Sequence, residues 1–168
     1  ILKPETETVY FLQGHGEASP TRDAKKFAEA VSIQNAAVKT LSLAGLDVIP
    51  ADASALVVAG AQSDLDEREA AVLGSWLRDG GKLLVLLDPN AATPRLHGLL
   101  GNSGVVPRND RVLRLIQLPF ATGILREVTA EVLPNAEATR RLEGTNLFFP
   151  GATQSLGFDL SHAEAEKI

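Results

Sequence analysis

Gly80-Gly81-Lys82-Leu83-Leu84-Val85-Leu86-Leu87-Asp88-Pro89 reads as the end of a helix, a strand and the loop that leaves it. The paired glycines stop a helix, because the residue after a helix commonly adopts the left-handed backbone that glycine tolerates. The aliphatic run Leu83–Leu87 has no polar position on either face. Strands of that kind belong to parallel sheets that helices cover on both sides.

Working outward, Ala55-Leu56-Val57-Val58-Ala59, closed by Gly60, is a second buried strand. Between the two, Ser63-Asp64-Leu65-Asp66 resembles a capping box. The helix it opens puts Leu65, Val72, Leu73, Trp76 and Leu77 on one face, with Asp66, Glu67, Arg68 and Arg78 mostly elsewhere. Val9-Tyr10-Phe11-Leu12 is a first strand, followed by a helix entry at Ser19-Pro20-Thr21 and a helix from Ala24 to about Gln34. Val38–Leu43 fits either a continued helix or a strand, and its alternation favours the strand.

Downstream, a short helix is expected near Pro94–Leu100, then strands at Arg111–Leu118, Ile124–Leu133 and Leu147–Phe149. Residues 1–8 read as a polar lead-in and the segment after Asp159 as a frayed polar tail. The expectation is one α/β domain over residues 1–168: a doubly wound, mostly parallel sheet, helices on both faces, and an antiparallel C-terminal extension of that sheet.

The composition suits such a domain. Hydrophobic residues make up 45% of the 168 and charged residues 22%. A net charge of −5 argues against nonspecific grip on nucleic acid or anionic lipid. The absence of cysteine excludes thiol catalysis, disulfides and thiolate metal sites. No segment approaches the ~20 apolar residues of a spanning helix. The chain starts with Ile1 and contains no methionine, so it is expected to be a fragment of a longer protein.

Ligands of open parallel sheets bind beyond the carboxyl ends of the strands. Three such ends carry Gly14-His15-Gly16-Glu17, Gly60-Ala61-Gln62-Ser63 and Asp88-Pro89-Asn90. His15, Glu17, Gln62 and Asp88 are therefore candidate ligand-binding residues on one rim, with Gly14, Gly16 and Gly60 shaping the loops. His15 could shuttle a proton or bind a metal. Glu17 could accept a bond from a hydroxyl or amine. The plainer alternative is that the glycines make tight turns and the polar side chains cap helices or brace loops. Asp88 could be a base, a metal ligand or the cap of the helix near Pro94, and capping is the commonest role there.

No metal or cofactor is expected, since the spacing matches no strong metal motif and the third glycine of a dinucleotide fingerprint is missing. There is no Walker loop and no nucleophile elbow. His97 and His162 read as surface residues, and Trp76 and Phe148-Phe149 as core or interface. Arg108, Arg111, Arg114, Arg140 and Arg141 give the second half a basic character that is either a solvated face or a partner surface.

Val9–Glu17, read as V-Y-F-L-Q-G-H-G-E, resembles the first strand and loop of auxiliary components of ABC-type transport systems, including gliding-motility-associated proteins. The similarity continues through Ile49–Ala53, Ala55–Gly60, Leu65–Leu77 and Gly80–Pro89, and through Thr139–Gly144 and Phe148–Gly151. The resemblance implies a fold like class I glutamine amidotransferases. Where those enzymes carry a nucleophilic cysteine, this chain has Asp88-Pro89, and proline cannot supply an oxyanion-hole N–H. Amidotransferase activity is therefore not expected, and no catalytic residue is assigned.

The resemblance further implies an extracytoplasmic, periplasmic location in a membrane-anchored parent whose anchors lie outside this chain. Its partners would be the membrane subunits of an ABC transporter. Three readings follow: a non-catalytic binding or interaction domain of such a system; a hydrolase acting on a sugar or small amide through His15, Glu17 and Asp88; or a docking scaffold using a sheet edge or the basic second half.

Overall fold

The computed structural model describes residues 7–132, 137–149 and 151–159. Four strands, β1 (Thr8–Leu12), β2 (Ala37–Leu41), β3 (Ala53–Ala59) and β4 (Leu83–Leu86), form one parallel sheet in the order β2-β1-β3-β4. Tyr10 lies opposite Leu56, and Val58 opposite Val85. The three aliphatic segments around Tyr10, Val57 and Val85 thus run side by side in one direction, as their composition predicts. Helix α1 (Lys25–Ile33) joins β1 to β2, α2 (Glu67–Arg78) joins β3 to β4, and α3 (Pro94–Asn102) follows β4. Val38–Leu43 resolves in favour of the strand.

Strand side chains alternate between faces, and here each face meets different helices. Tyr10, Leu12, Leu56 and Val58 pack with Val72 and Leu73 of α2 and Leu96 of α3. Phe11, Val57 and Ala59 pack with Phe27 and Ala28 of α1. The rings of Phe11 and Phe27 meet edge to face, 5.6 Å between centroids. β1 and β3 are the central strands, and Phe11 and Leu56 are wholly buried. Each such side chain contributes about 1.5–3 kcal/mol by leaving water.

The strand that set the expectation departs from it. β4 is at the sheet edge. Leu83, Val85 and Leu87 pack against the α2–α3 core, but Leu84 and Leu86 are 44% and 49% exposed. The reason is connectivity. Helix α1 links β1 to β2 and lies over the opposite half of the sheet, so among the described residues no helix covers the second face of β4.

Among the described residues the antiparallel strands form three separate pairs instead of an extension of the parallel sheet: β5 (Val105–Pro107) with β10 (Leu156–Phe158), β6 (Arg114–Leu118) with β7 (Ala121–Leu125), and β8 (Val128–Glu131) with β9 (Asn146–Phe149). A turn at Pro119-Phe120 folds β7 back on β6, so the two satisfy each other's backbone groups. The strand expected over Ile124–Leu133 is two strands, broken at Arg126-Glu127; Leu133 lies outside the described residues. A 3-10 helix, Glu137–Leu142, precedes β9.

The polar lead-in is shorter than expected. Thr8 is already in β1, buried, its N–H donating to Ser54 Oγ at 3.1 Å. Residues 1–6 and the tail after Asp159, with His162, lie outside the described residues. His97 is half-buried on α3, and Trp76 packs against the α2 core, whereas Phe148 is exposed. No helix of the described residues is long and apolar enough to cross a membrane.

Candidate functional site

The loops that trail β1 and β3 are tied together by backbone. The His15 carbonyl accepts from the N–H groups of Gln62 at 2.7 Å and Ser63 at 3.0 Å. Gly16 makes this approach possible. Its φ is +82°, and a Cβ there would stand 2.9 Å from Gln62 Cβ. Glycine alone meets both demands.

This turn aims His15 between two buried carboxylates. Its Nδ1 lies 3.1 Å from Glu17 Oε1 and its Nε2 lies 2.8 Å from Glu69 Oε2. The Glu17 side chain is fully buried and that of Glu69 is 8% exposed. Glu17 also accepts the His15 backbone N–H at 2.7 Å, closing the loop on itself. Glu69 is the third helical residue of α2, where it completes a capping box: its carboxylate accepts the Asp66 N–H at 2.9 Å, and Asp66 accepts the Glu69 N–H at 2.7 Å. The box is therefore Asp66–Glu69, three residues beyond the Ser63–Asp66 reading.

Both ring nitrogens face carboxylate oxygens, so the arrangement is complete only when both carry hydrogen. Burial opposes the charge on His15, but the hydrogen bonds to Glu69 and Glu17, with their Coulomb attraction, outweigh it and raise the histidine above its ordinary 6.5. In its protonated form the group is an imidazolium clamp, and neither nitrogen then offers the free lone pair that a metal ligand or a general base requires.

The other two candidates form a separate, more exposed pair. Gln62 Nε2 donates to Asp88 Oδ2 at 2.9 Å and to the Gly60 carbonyl at 2.8 Å. Asp88 accepts the Asn90 N–H at 2.8 Å, closing its own turn. The Gln62 bond first, then the Asn90 backbone, hold the Asp88 carboxyl below its ordinary 3.8. Among the described residues Asp88 has no hydrogen bond to His15 or Glu17, so the three do not converge.

Nor does Asp88 cap the helix at Pro94. Asp64 does, accepting the N–H groups of Arg95 at 3.0–3.1 Å and Leu96 at 3.3 Å. Among the described residues no group of three or more His, Cys, Asp or Glu could hold a metal ion. The rim thus gathers His15, Glu17 and Glu69 in one cluster and Gln62 with Asp88 in another. Glu69 escaped sequence reading because its link to His15 spans 54 positions. Its local signal, an acidic cap followed three residues later by Glu, was present.

The arginines of the second half are dispersed. Arg111 donates to the carbonyls of Asp110 and Pro89, which fastens the β4 exit loop to the segment before β6. Arg108 lies against Gly157 in the β5–β10 pair.

Comparison with known proteins gives two positive findings. The family described as an ABC-type uncharacterized transport system matches residues 6–126. Among solved structures, the mmIFT52 N-terminal domain superposes with a TM-score of 0.66 at 20% identity, covering 90% of this chain and 68% of that one. That likeness is one of fold. No curated protein matches the chain.

Proposed function

The chain belongs to this family of ABC-type transport systems as an auxiliary component, and on that premise we propose that it is a non-catalytic interaction domain. The parent protein holds it at the extracytoplasmic, periplasmic face of the cytoplasmic membrane, beside the membrane subunits of the transporter. Its sheet is the doubly wound, amidotransferase-like scaffold without the chemistry, of the gliding-motility-associated type that V-Y-F-L-Q-G-H-G-E resembles.

One observation carries this reading: the polar groups of the strand-end rim are bonded to each other. His15 is held at both ring nitrogens, and Gln62 and Asp88 are bonded together. A nucleophile or general base must have a lone pair directed at substrate. The second half of the chain supports the same reading from another side. Leu115, Phe120, Phe148 and Phe158 are 69%, 102%, 64% and 77% exposed, apolar side chains that a partner could cover.

The test is to tag the full-length parent in its native membrane and recover its complexes. Transporter membrane subunits should co-purify, and amidase and glycosidase assays of this chain should read as blank. Fractionation of the parent to the soluble cytoplasm, or turnover abolished by His15→Gln, would end the proposal. Substituting Arg140 and Arg141 then asks whether the basic segment contributes to docking.

A further inference from the structure

A cleft of about 530 Å³ opens where β4 ends, between the Asn90 loop, the hairpin β6–β7 and the segment at Thr153. Its volume lies in the range of small-molecule sites. Leu113 and Ile124 give its lining apolar surface, and Asn90 and Thr153 add polar groups. Two guanidinium groups, Arg111 and Arg126, also line it, and no acidic residue does.

The two arginines are not equivalent. Arg111 is held by two backbone carbonyls, and among the described residues no carboxylate pairs with it in direct contact. Arg126 has no hydrogen-bond or ion-pair partner among the described residues. Two acidic side chains of the neighbouring loops, Asp88 and Asp110, are engaged elsewhere. Asp88, which feels Arg111 through space, is bonded to Gln62 and to the Asn90 N–H. Asp110 holds the N–H and hydroxyl of Ser155 at 2.8 and 2.6 Å.

From this we infer that the cleft binds a small ligand made of an anionic group on an apolar stem. Arg126 and Arg111 take the carboxylate or phosphate, and the apolar surface of Leu113 and Ile124 takes the stem. Guanidinium forks match both anions, whereas an ammonium or a neutral hydroxyl finds no charge partner there. With the whole chain at −5, long-range attraction does not deliver the ligand, and the selectivity is local. The inference does not depend on the transporter reading.

The test is NMR titration of the isotope-labelled chain with hexanoate, hexyl phosphate, hexanol, hexylamine and inorganic phosphate. Saturable shifts at Asn90, Leu113, Ile124 and Thr153 are expected with hexanoate or hexyl phosphate, and the tighter of the two identifies the head group. Arg126→Gln should weaken that binding about tenfold, the loss of one charge-assisted bond. Because Arg126 has no hydrogen-bond or ion-pair partner among the described residues, the variant should keep the spectrum of β1 and β3. The inference is overturned if neither anion saturates, if hexanol binds as well, if inorganic phosphate alone binds as tightly as its hexyl ester, or if Arg126→Gln changes nothing.

Discussion

Replacing His15 by Gln tests the imidazolium clamp at its centre. The substitution keeps roughly the size of the side chain and one amide donor, and removes the charge and one of two bonds to buried carboxylates. A hydrogen bond to a charged group contributes about 1.5–3 kcal/mol. Glu17 and Glu69 would then face each other without a cation between them. Each keeps a backbone donor, His15 N–H at 2.7 Å and Asp66 N–H at 2.9 Å, which limits the damage. The expected loss near pH 6 is about 3 kcal/mol, a fall of roughly 10 °C in Tm for a chain of this size.

The pH dependence carries the sharper test. The folded-state value of His15 is raised above 6.5, so its contribution is fully present below 6.5 and is lost as pH rises through the folded value. The stability gap between wild type and His15→Gln should therefore be widest in mildly acidic solution. By pH 9 it should shrink toward the ~1 kcal/mol of an ordinary neutral hydrogen bond. Urea unfolding of both proteins between pH 5.5 and 9 measures it, and the His15 ring resonances give the midpoint directly. A gap that stays constant or widens with pH, or a midpoint below 6.5, refutes the clamp.

Two further substitutions separate structural roles at the same end of the sheet. Asp64→Ala should cost about 1 kcal/mol by uncapping α3, with Arg95 and Leu96 amides exchanging faster, whereas Asp88→Ala should leave those amides unchanged; equal effects from both would restore Asp88 as the cap. Gly81→Ala should destabilise by about 1–3 kcal/mol in thermal unfolding, because a Cβ there would lie 2.3 Å from the Trp76 ring and force the indole out of its seat; unchanged Trp76 fluorescence and an unchanged midpoint would contradict that packing.

What the sequence discloses follows the range of each interaction. The β1, β3 and β4 strands are legible because burial on a parallel sheet demands aliphatic runs, and Val9–Leu12, Ala55–Ala59 and Leu83–Leu87 supply them. The α2 helix is legible because its apolar face repeats at helical spacing. The uncovered face of β4 is not, since an apolar residue reads alike whether a helix lies over it or not, and only connectivity decides. In the site, His15 and Glu17 announce themselves two positions apart, but the partner that fixes the histidine's charge, Glu69, comes from another loop. Asp88 is the cap that chain proximity offers for α3, but Asp64 fills the role from another loop, and which loop the start of α3 reaches is not written in the local sequence.

The same geometry moves the place where a ligand should be sought. G-H-G-E draws attention because a histidine beside a glutamate, held by glycines at a strand end, suits proton transfer. Once Glu69 closes the second ring nitrogen, those residues knit the β1, β3 and α2 termini together, and their polarity is consumed there. Charge reappears past β4, where the chain leaves the parallel sheet and Arg126, with no hydrogen-bond or ion-pair partner among the described residues, lines a cleft with Leu113 and Ile124. A helix over the outer face of β4 and an extension of the sheet would have made this edge interior. Their absence among the described residues leaves Leu84, Leu86 and the neighbouring cleft open, and an open apolar edge beside two guanidinium groups suits binding better than turnover.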